Sequence, residues 1–113
     1  MIKEEKRYRV DEKLKERVND FRMALVGKDP DGERQIVDFD EWVRDYVLSF
    51  ESDPYYPGAK RMLLSYGGPS DFFEFFRDGR IRYYYGSDYG PDSREVTGDD
   101  LLILMDVQDR LRI

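Results

Sequence analysis

Residues 62–85 read Met62-Leu63-Leu64-Ser65-Tyr66-Gly67-Gly68-Pro69-Ser70-Asp71-Phe72-Phe73-Glu74-Phe75-Phe76-Arg77-Asp78-Gly79-Arg80-Ile81-Arg82-Tyr83-Tyr84-Tyr85. An apolar run, a Gly-Gly-Pro break, an aromatic run, an Asp-Gly pair and a second aromatic run predict three antiparallel strands joined by tight turns. Gly67, Gly68 and Pro69 supply the first turn. Asp78 and Gly79 supply the second, read as a two-residue type I′ connection that sets Phe76 opposite Ile81, Glu74 opposite Tyr83 and Phe72 opposite Tyr85. One sheet face then carries Phe72, Glu74, Phe76, Ile81, Tyr83 and Tyr85. The other carries Phe73, Phe75, Arg77, Arg80, Arg82 and Tyr84, so both faces are aromatic and only the second is basic.

Helical periodicity flanks this core on both sides. Leu14, Val18, Phe21 and Leu25 recur at helical spacing from about Asp11, with Gly27 as a stop, and predict a helix over 11–26 behind a lightly docked, flexible arm at 1–9. Phe39, Trp42, Val43, Tyr46, Val47 and Phe50 form a wide apolar stripe, and Asp38 with Glu41 has the spacing of a capping box, so a second helix is expected from Asp38 to about Phe50. Residues 52–58, Ser-Asp-Pro-Tyr-Tyr-Pro-Gly, read as a stiff linker. After a loop at 86–92, Arg94-Glu95-Val96 reads as a short edge strand. Thr97 is the expected cap of a last helix that buries Leu101, Leu104, Met105 and Leu111. The expected architecture is a single α+β domain over 1–113: a three- to four-stranded antiparallel sheet, with two N-terminal helices and one C-terminal helix packed mainly on one face.

Composition narrows the chemistry. The chain has 113 residues, no Cys and no His, which removes disulfides, thiolate or imidazole metal sites, thiol nucleophiles and histidine acid/base catalysis. No nucleophile-base pair or metal-ligand spacing stands out, and the reading is of a protein that is not an enzyme and needs no cofactor. No run approaches a membrane span and the N-terminal segment lacks a signal-peptide core, so the expectation is a cytoplasmic protein with no membrane partner. Charged residues make up 39% and aromatics 15%, which argues against disorder. The net charge of −6 is unevenly distributed: residues 27–59 sum to −6 and 86–113 to −4, whereas 1–26 and 60–85 each sum to +2. Such acidic blocks favour basic partners over nucleic acid.

Two constellations compete for function. Asp38, Asp40, Glu41, Asp45, Glu51 and Asp53 lie along the second helix and its exit, and Asp88 and Asp92 lie in the late loop. Together with Tyr55, Tyr56 and Tyr89 they form a candidate acidic, tyrosine-rich binding surface, against the plainer reading of a solvated helix face. The basic aromatic face, with Phe73, Phe75 and Tyr84 beside Arg80 and Arg82, is the alternative: a stacking platform for RNA or single-stranded DNA. A structural homo-oligomeric module is the third option. Gly67-Gly68-Pro69-Ser70 lacks the helix and Lys-Ser/Thr pair of a phosphate loop and reads as a turn, and the carboxylates at 88–100 do not fit a calcium loop.

The segment from Asp53 to Asp100, whose most specific part is Leu63 to Phe75 with its Leu63-Leu64-Ser65-Tyr66-Gly67-Gly68-Pro69 turn, resembles small proteins of phages and mobile elements that share a Leu-Leu-Ser-x-Gly-Gly-Pro hairpin. Those proteins continue through an Asp-Trp loop into a Gly-acid-acid helix start; here Asp88-Tyr89 and Gly98-Asp99-Asp100 hold the comparable places, with Tyr89 in place of Trp. The resemblance covers somewhat under half of the chain. It implies an accessory protein of the kind that includes inhibitors of CRISPR-Cas and restriction systems: one that acts stoichiometrically by occupying a basic nucleic-acid groove on a host protein or ribonucleoprotein complex.

Overall fold

The computed structural model describes residues 2–32, 34–67, 69–86 and 92–113, with side chains from Arg9 onward. The element order is α1 (Ile2–Leu25), α2 (Phe39–Tyr46), β1 (Ser49–Ser52), β2 (Lys60–Ser65), β3 (Ser70–Phe75), β4 (Ile81–Gly86), β5 (Asp92–Glu95) and α3 (Gly98–Leu111). The strands form one antiparallel meander in the order β1-β2-β3-β4-β5. The fold is thus α+β as expected, but with five strands rather than three or four.

The extra strand comes out of the predicted second helix. That helix ends at Tyr46, four residues short of Phe50. Leu48 instead donates its N–H to the Leu63 carbonyl at 2.8 Å, and Ser49–Ser52 pair with Lys60–Leu63. The edge of β2 offers this segment a full ladder of backbone partners, which outweighs one more turn of a short, marginal helix. At the other end α1 starts at Ile2 rather than near Asp11, because Lys, Glu and Arg at 3–7 are good helix formers with no breaker among them. It ends as predicted at Gly27, where Lys28 N–H reaches the Met23 carbonyl and Gly27 N–H the Ala24 carbonyl, the paired bonds of a Schellman stop.

The helices cover one face of the sheet. Val10, Leu14, Val18 and Phe21 of α1 form one core with Val43, Val47, Met62, Leu64, Phe73, Phe75, Ile81, Tyr83, Leu104 and Val107. Phe21 sits at the centre of the rings, edge-on to Trp42, Tyr46 and Phe73 at 5.7, 5.4 and 6.3 Å. In α3 the buried positions are Leu104 and Val107, while Met105, expected in the buried stripe, is 47% exposed. Thr97 stands at the N-cap position, but its hydroxyl makes no capping bond.

The aromatic hairpin forms one residue out of the predicted register. Phe75 pairs with Ile81, Phe73 with Tyr83 and Phe72 with Tyr84. The connection is Arg77-Asp78-Gly79: Gly79 N–H bonds the Phe76 carbonyl at 3.1 Å, and Phe76 N–H bonds the Arg80 carbonyl at 2.9 Å. This is a type I turn closed by a bulge residue in the left-handed region, and Gly79, at φ +96°, takes that conformation without the backbone strain it imposes on residues with a side chain. Asp78 fixes the turn by accepting from the Arg80 N–H at 3.1 Å and from its Nε at 2.8 Å. Because side chains alternate along a strand, one residue of slip re-sorts every ring.

Candidate functional site

The acidic residues of α2 are where the sequence placed them, on the solvent side of the helix. Asp38 is the N-cap, accepting from the N–H groups of Asp40 and Glu41 at 3.0 and 3.3 Å. Asp40, Glu41 and Asp45 are exposed, and Glu51 follows on the exposed edge strand β1, where the Tyr66 hydroxyl reaches it at 3.4 Å. Among the described residues none of these five carboxylates forms an ion pair. The sequence reading missed their apolar neighbours: it places Phe50 in the helix stripe and does not single out Val37 or Leu48. In the structure Val37, Leu48 and Phe50 are 97%, 56% and 43% exposed, so the segment that carries the unpaired acids also exposes apolar side chains.

Asp53 does not belong to this surface. It is 6% exposed and, with Glu74 at 1%, flanks a single cation: Arg61 reaches the Asp53 Oδ2 through Nη2 at 3.2 Å and the Glu74 Oε1 through Nε at 2.9 Å. The Tyr55 N–H adds a bond to Asp53 at 2.7 Å. Glu74 Oε2 is buried with no hydrogen-bond partner among the described residues, so a protonated Glu74 would leave fewer unmet acceptors there than a charged one. The electrostatics agree. Burial and the bond to Asp53 push the Glu74 carboxyl upward, while Asp53 is held below its ordinary value: burial alone would raise it, but the Tyr55 N–H, Glu74 and Arg61 outweigh that.

The other candidates separate. Tyr55 is exposed, and Tyr56 sets its ring edge-on to Phe76 at 5.5 Å. Asp92 begins β5 opposite Tyr85. Gly67 sits in the turn at φ +99° next to an exposed Pro69, and the β2–β3 ladder carries a bulge between Leu63 and Ser65. Gly68, Asp88 and Tyr89 lie outside the described residues.

The predicted basic aromatic platform does not form as drawn. Phe73 and Phe75 are core residues under the helices, at 0% and 2% exposure. The face opposite the helices instead carries Phe72 stacked on Tyr84 at 4.6 Å, Arg61 over Phe72 at 5.2 Å, and Arg80 over Phe76 at 5.0 Å. Arg61 on this face is committed to two carboxylates, Asp53 and Glu74.

A second polar cluster lies between the helices and the sheet. Asp71 accepts from Arg17 Nε at 2.7 Å, Arg17 Nη2 at 2.9 Å, the Tyr83 hydroxyl at 2.6 Å and the Ser65 hydroxyl. Arg17 also donates to the Tyr46 hydroxyl at 2.9 Å, which in turn donates to Asp20 at 2.6 Å. Burial would lower the Arg17 guanidinium, yet its bonds to Asp71 and Tyr46 raise it, and burial drives the Tyr46 and Tyr83 phenols upward. The cluster ties α1 and α2 to β3 and β4.

Among the described residues no helix is long and apolar enough to cross a membrane, and no three carboxylates converge as metal ligands would. Comparison with protein-family models, with curated proteins and with solved structures finds no match for this chain.

Proposed function

We propose that this chain is a non-catalytic binding protein that occupies a basic surface of a nucleic-acid-processing complex, in the manner of the small phage and mobile-element inhibitors that its Leu-Leu-Ser-x-Gly-Gly-Pro hairpin resembles. The supporting observation is the acid of α2 and β1: five exposed carboxylates without ion-pair partners among the described residues, Asp38, Asp40, Glu41 and Asp45 at the helix and Glu51 on the edge strand, in a segment that also exposes Val37, Leu48 and Phe50. Unpaired surface acids set up a field that a cationic groove relieves, and apolar side chains among them add contact area that water gives up on binding. The protein would act in the cytoplasm by stoichiometric occupancy, using charge and shape in place of a reaction.

The test spares the helix cap. Asp38 holds two backbone N–H groups, so its loss would cost stability whatever its role in binding. Glu41→Lys, Asp45→Lys and Glu51→Lys carry no such structural bond, apart from the long Tyr66 contact at Glu51. The triple variant and the parent are immobilised and used to capture complexes from nuclease-treated lysates that contain CRISPR and restriction machinery. Capture by the parent that weakens with salt and disappears in the variant supports the reading. Equal capture by both, or capture that needs nucleic acid, overturns it.

A further inference from the structure

We infer that a groove on the sheet face opposite the helices binds a single nucleotide unit, a planar base carrying a phosphate, at a place distinct from the acids of α2 and β1. The groove encloses about 230 Å³ and is lined by Tyr56, Phe76, Arg80, Arg82, Tyr84 and Glu95, together with Ile81. The corrected register creates it. Phe76 pairs with Arg80 beside the turn, Arg82 and Tyr84 alternate outward from β4, and Tyr56 is brought over from the β1–β2 connection to stand edge-on to Phe76.

Each component matches one part of such a ligand. Tyr56, exposed, and Tyr84, one face of which is stacked on Phe72, line the groove with aromatic surface for a base, a contact that tolerates any base because every base has a π-face. Arg80 and Arg82 are each held through Nε alone, by Asp78 at 2.8 Å and by Ser93 at 2.9 Å. Their terminal nitrogens have no hydrogen-bond partner among the described residues, and such N–H groups are donors suited to the oxygens of a phosphate. Glu95, exposed and opposite Arg82 in the β4–β5 register, is an acceptor for the amino edge of a base.

The charge distribution sets the size of the ligand. Residues 60–85 sum to +2 within a chain of −6, so one phosphate finds local attraction whereas a long strand would run out over acidic surface. The same chemistry can come from a free nucleotide or from the terminal residue of a single strand.

The full chain is titrated at low salt with AMP, GMP, CMP and UMP, with adenosine, with inorganic phosphate and with a 5′-phosphorylated tetranucleotide, while NMR follows the ring signals of Tyr56 and Tyr84 and the Nε signals of Arg80 and Arg82. The expected result is a saturable shift of all four residues with a nucleotide, at least about tenfold tighter than with adenosine or phosphate alone, since each half of the ligand contributes. Arg82→Gln and Tyr56→Ala should each weaken it by about tenfold, with the melting temperature of each variant measured beside the titration, because Tyr56 is exposed while Arg82 is half-buried and bonded to Ser93. Tighter binding of the tetranucleotide assigns the groove to strand ends, and equal binding assigns it to free nucleotides. No saturable shift, equal affinity for inorganic phosphate, or shifts that Arg82→Gln leaves unchanged would each overturn the inference.

Discussion

Replacing Asp71 with Val should be among the most damaging single changes in this protein, and the reason lies in what the carboxylate leaves behind. Its side chain is 1% exposed and that of its partner Arg17 is 19% exposed, and the two share a two-point ion pair at 2.7 and 2.9 Å. Deleting one partner of a buried pair strands the other charge, which costs about 3–5 kcal/mol, and the Tyr83 and Ser65 hydroxyls lose their acceptor as well. Against a total stability of roughly 5–15 kcal/mol, and at about 4 °C per kcal/mol for a domain of this size, the melting temperature should fall by about 15 °C. Urea unfolding can be followed through Trp42, the single tryptophan, whose ring is stacked on Tyr46 at 4.5 Å and so reports whether α2 remains docked. The decisive measurement is the double-mutant cycle. Arg17→Met combined with Asp71→Val removes both charges, leaves Tyr46 its bond to Asp20, and should be less destabilised than Asp71→Val alone. A loss below about 1 kcal/mol for Asp71→Val, or a double variant no better than the sum of the singles, would refute the claim that this pair fastens α1 to the sheet.

Two smaller predictions follow from the other buried groups. The folded protein holds the Glu74 proton more tightly than the unfolded chain does, so stability should fall as pH rises from the ordinary carboxyl range through the raised value. Asp53, held down, has the opposite dependence and loses its contribution as pH falls below the ordinary range. Glu74→Gln keeps an acceptor for Arg61 and a donor for Asp53; unfolding curves at several pH values should show it matching the parent in mild acid and exceeding it in mild alkali, and a parallel pH dependence in both would exclude the shared proton. Gly79→Ala should cost about 1 kcal/mol from the backbone alone, because a Cβ there meets no atom within 4 Å while φ is +96°. An unchanged urea midpoint would remove the left-handed bulge from the account.

The limits of the sequence reading also come down to that one glycine. The strands and the turn between β3 and β4 were legible because Asp-Gly between aromatic runs has few other conformations, but the same dipeptide closes both a two-residue loop and a three-residue loop with a bulge, and only the second was formed. Polarity could not choose between them. In Ser70–Phe75 the rings fall on both sides, and the two acids, which a pattern reading sends to solvent, are both buried: Asp71 under the helices against Arg17, Glu74 on the opposite face against Arg61. A strand that marks neither face by polarity has its register set by the partners of its buried charges, and those partners are 54 and 13 residues away along the chain. The same non-local logic explains β1, whose helical spacing through Phe50 was real but yielded to the unpaired edge of β2. It also explains the candidate sites. The exposed acids of α2 could be read directly, because a solvated residue needs no partner to define it. The groove of Tyr56, Phe76, Arg80, Arg82, Tyr84 and Glu95 could not, because its members come together only once a single residue of slip has sent Phe73 and Phe75 inward and left Phe76 at the surface.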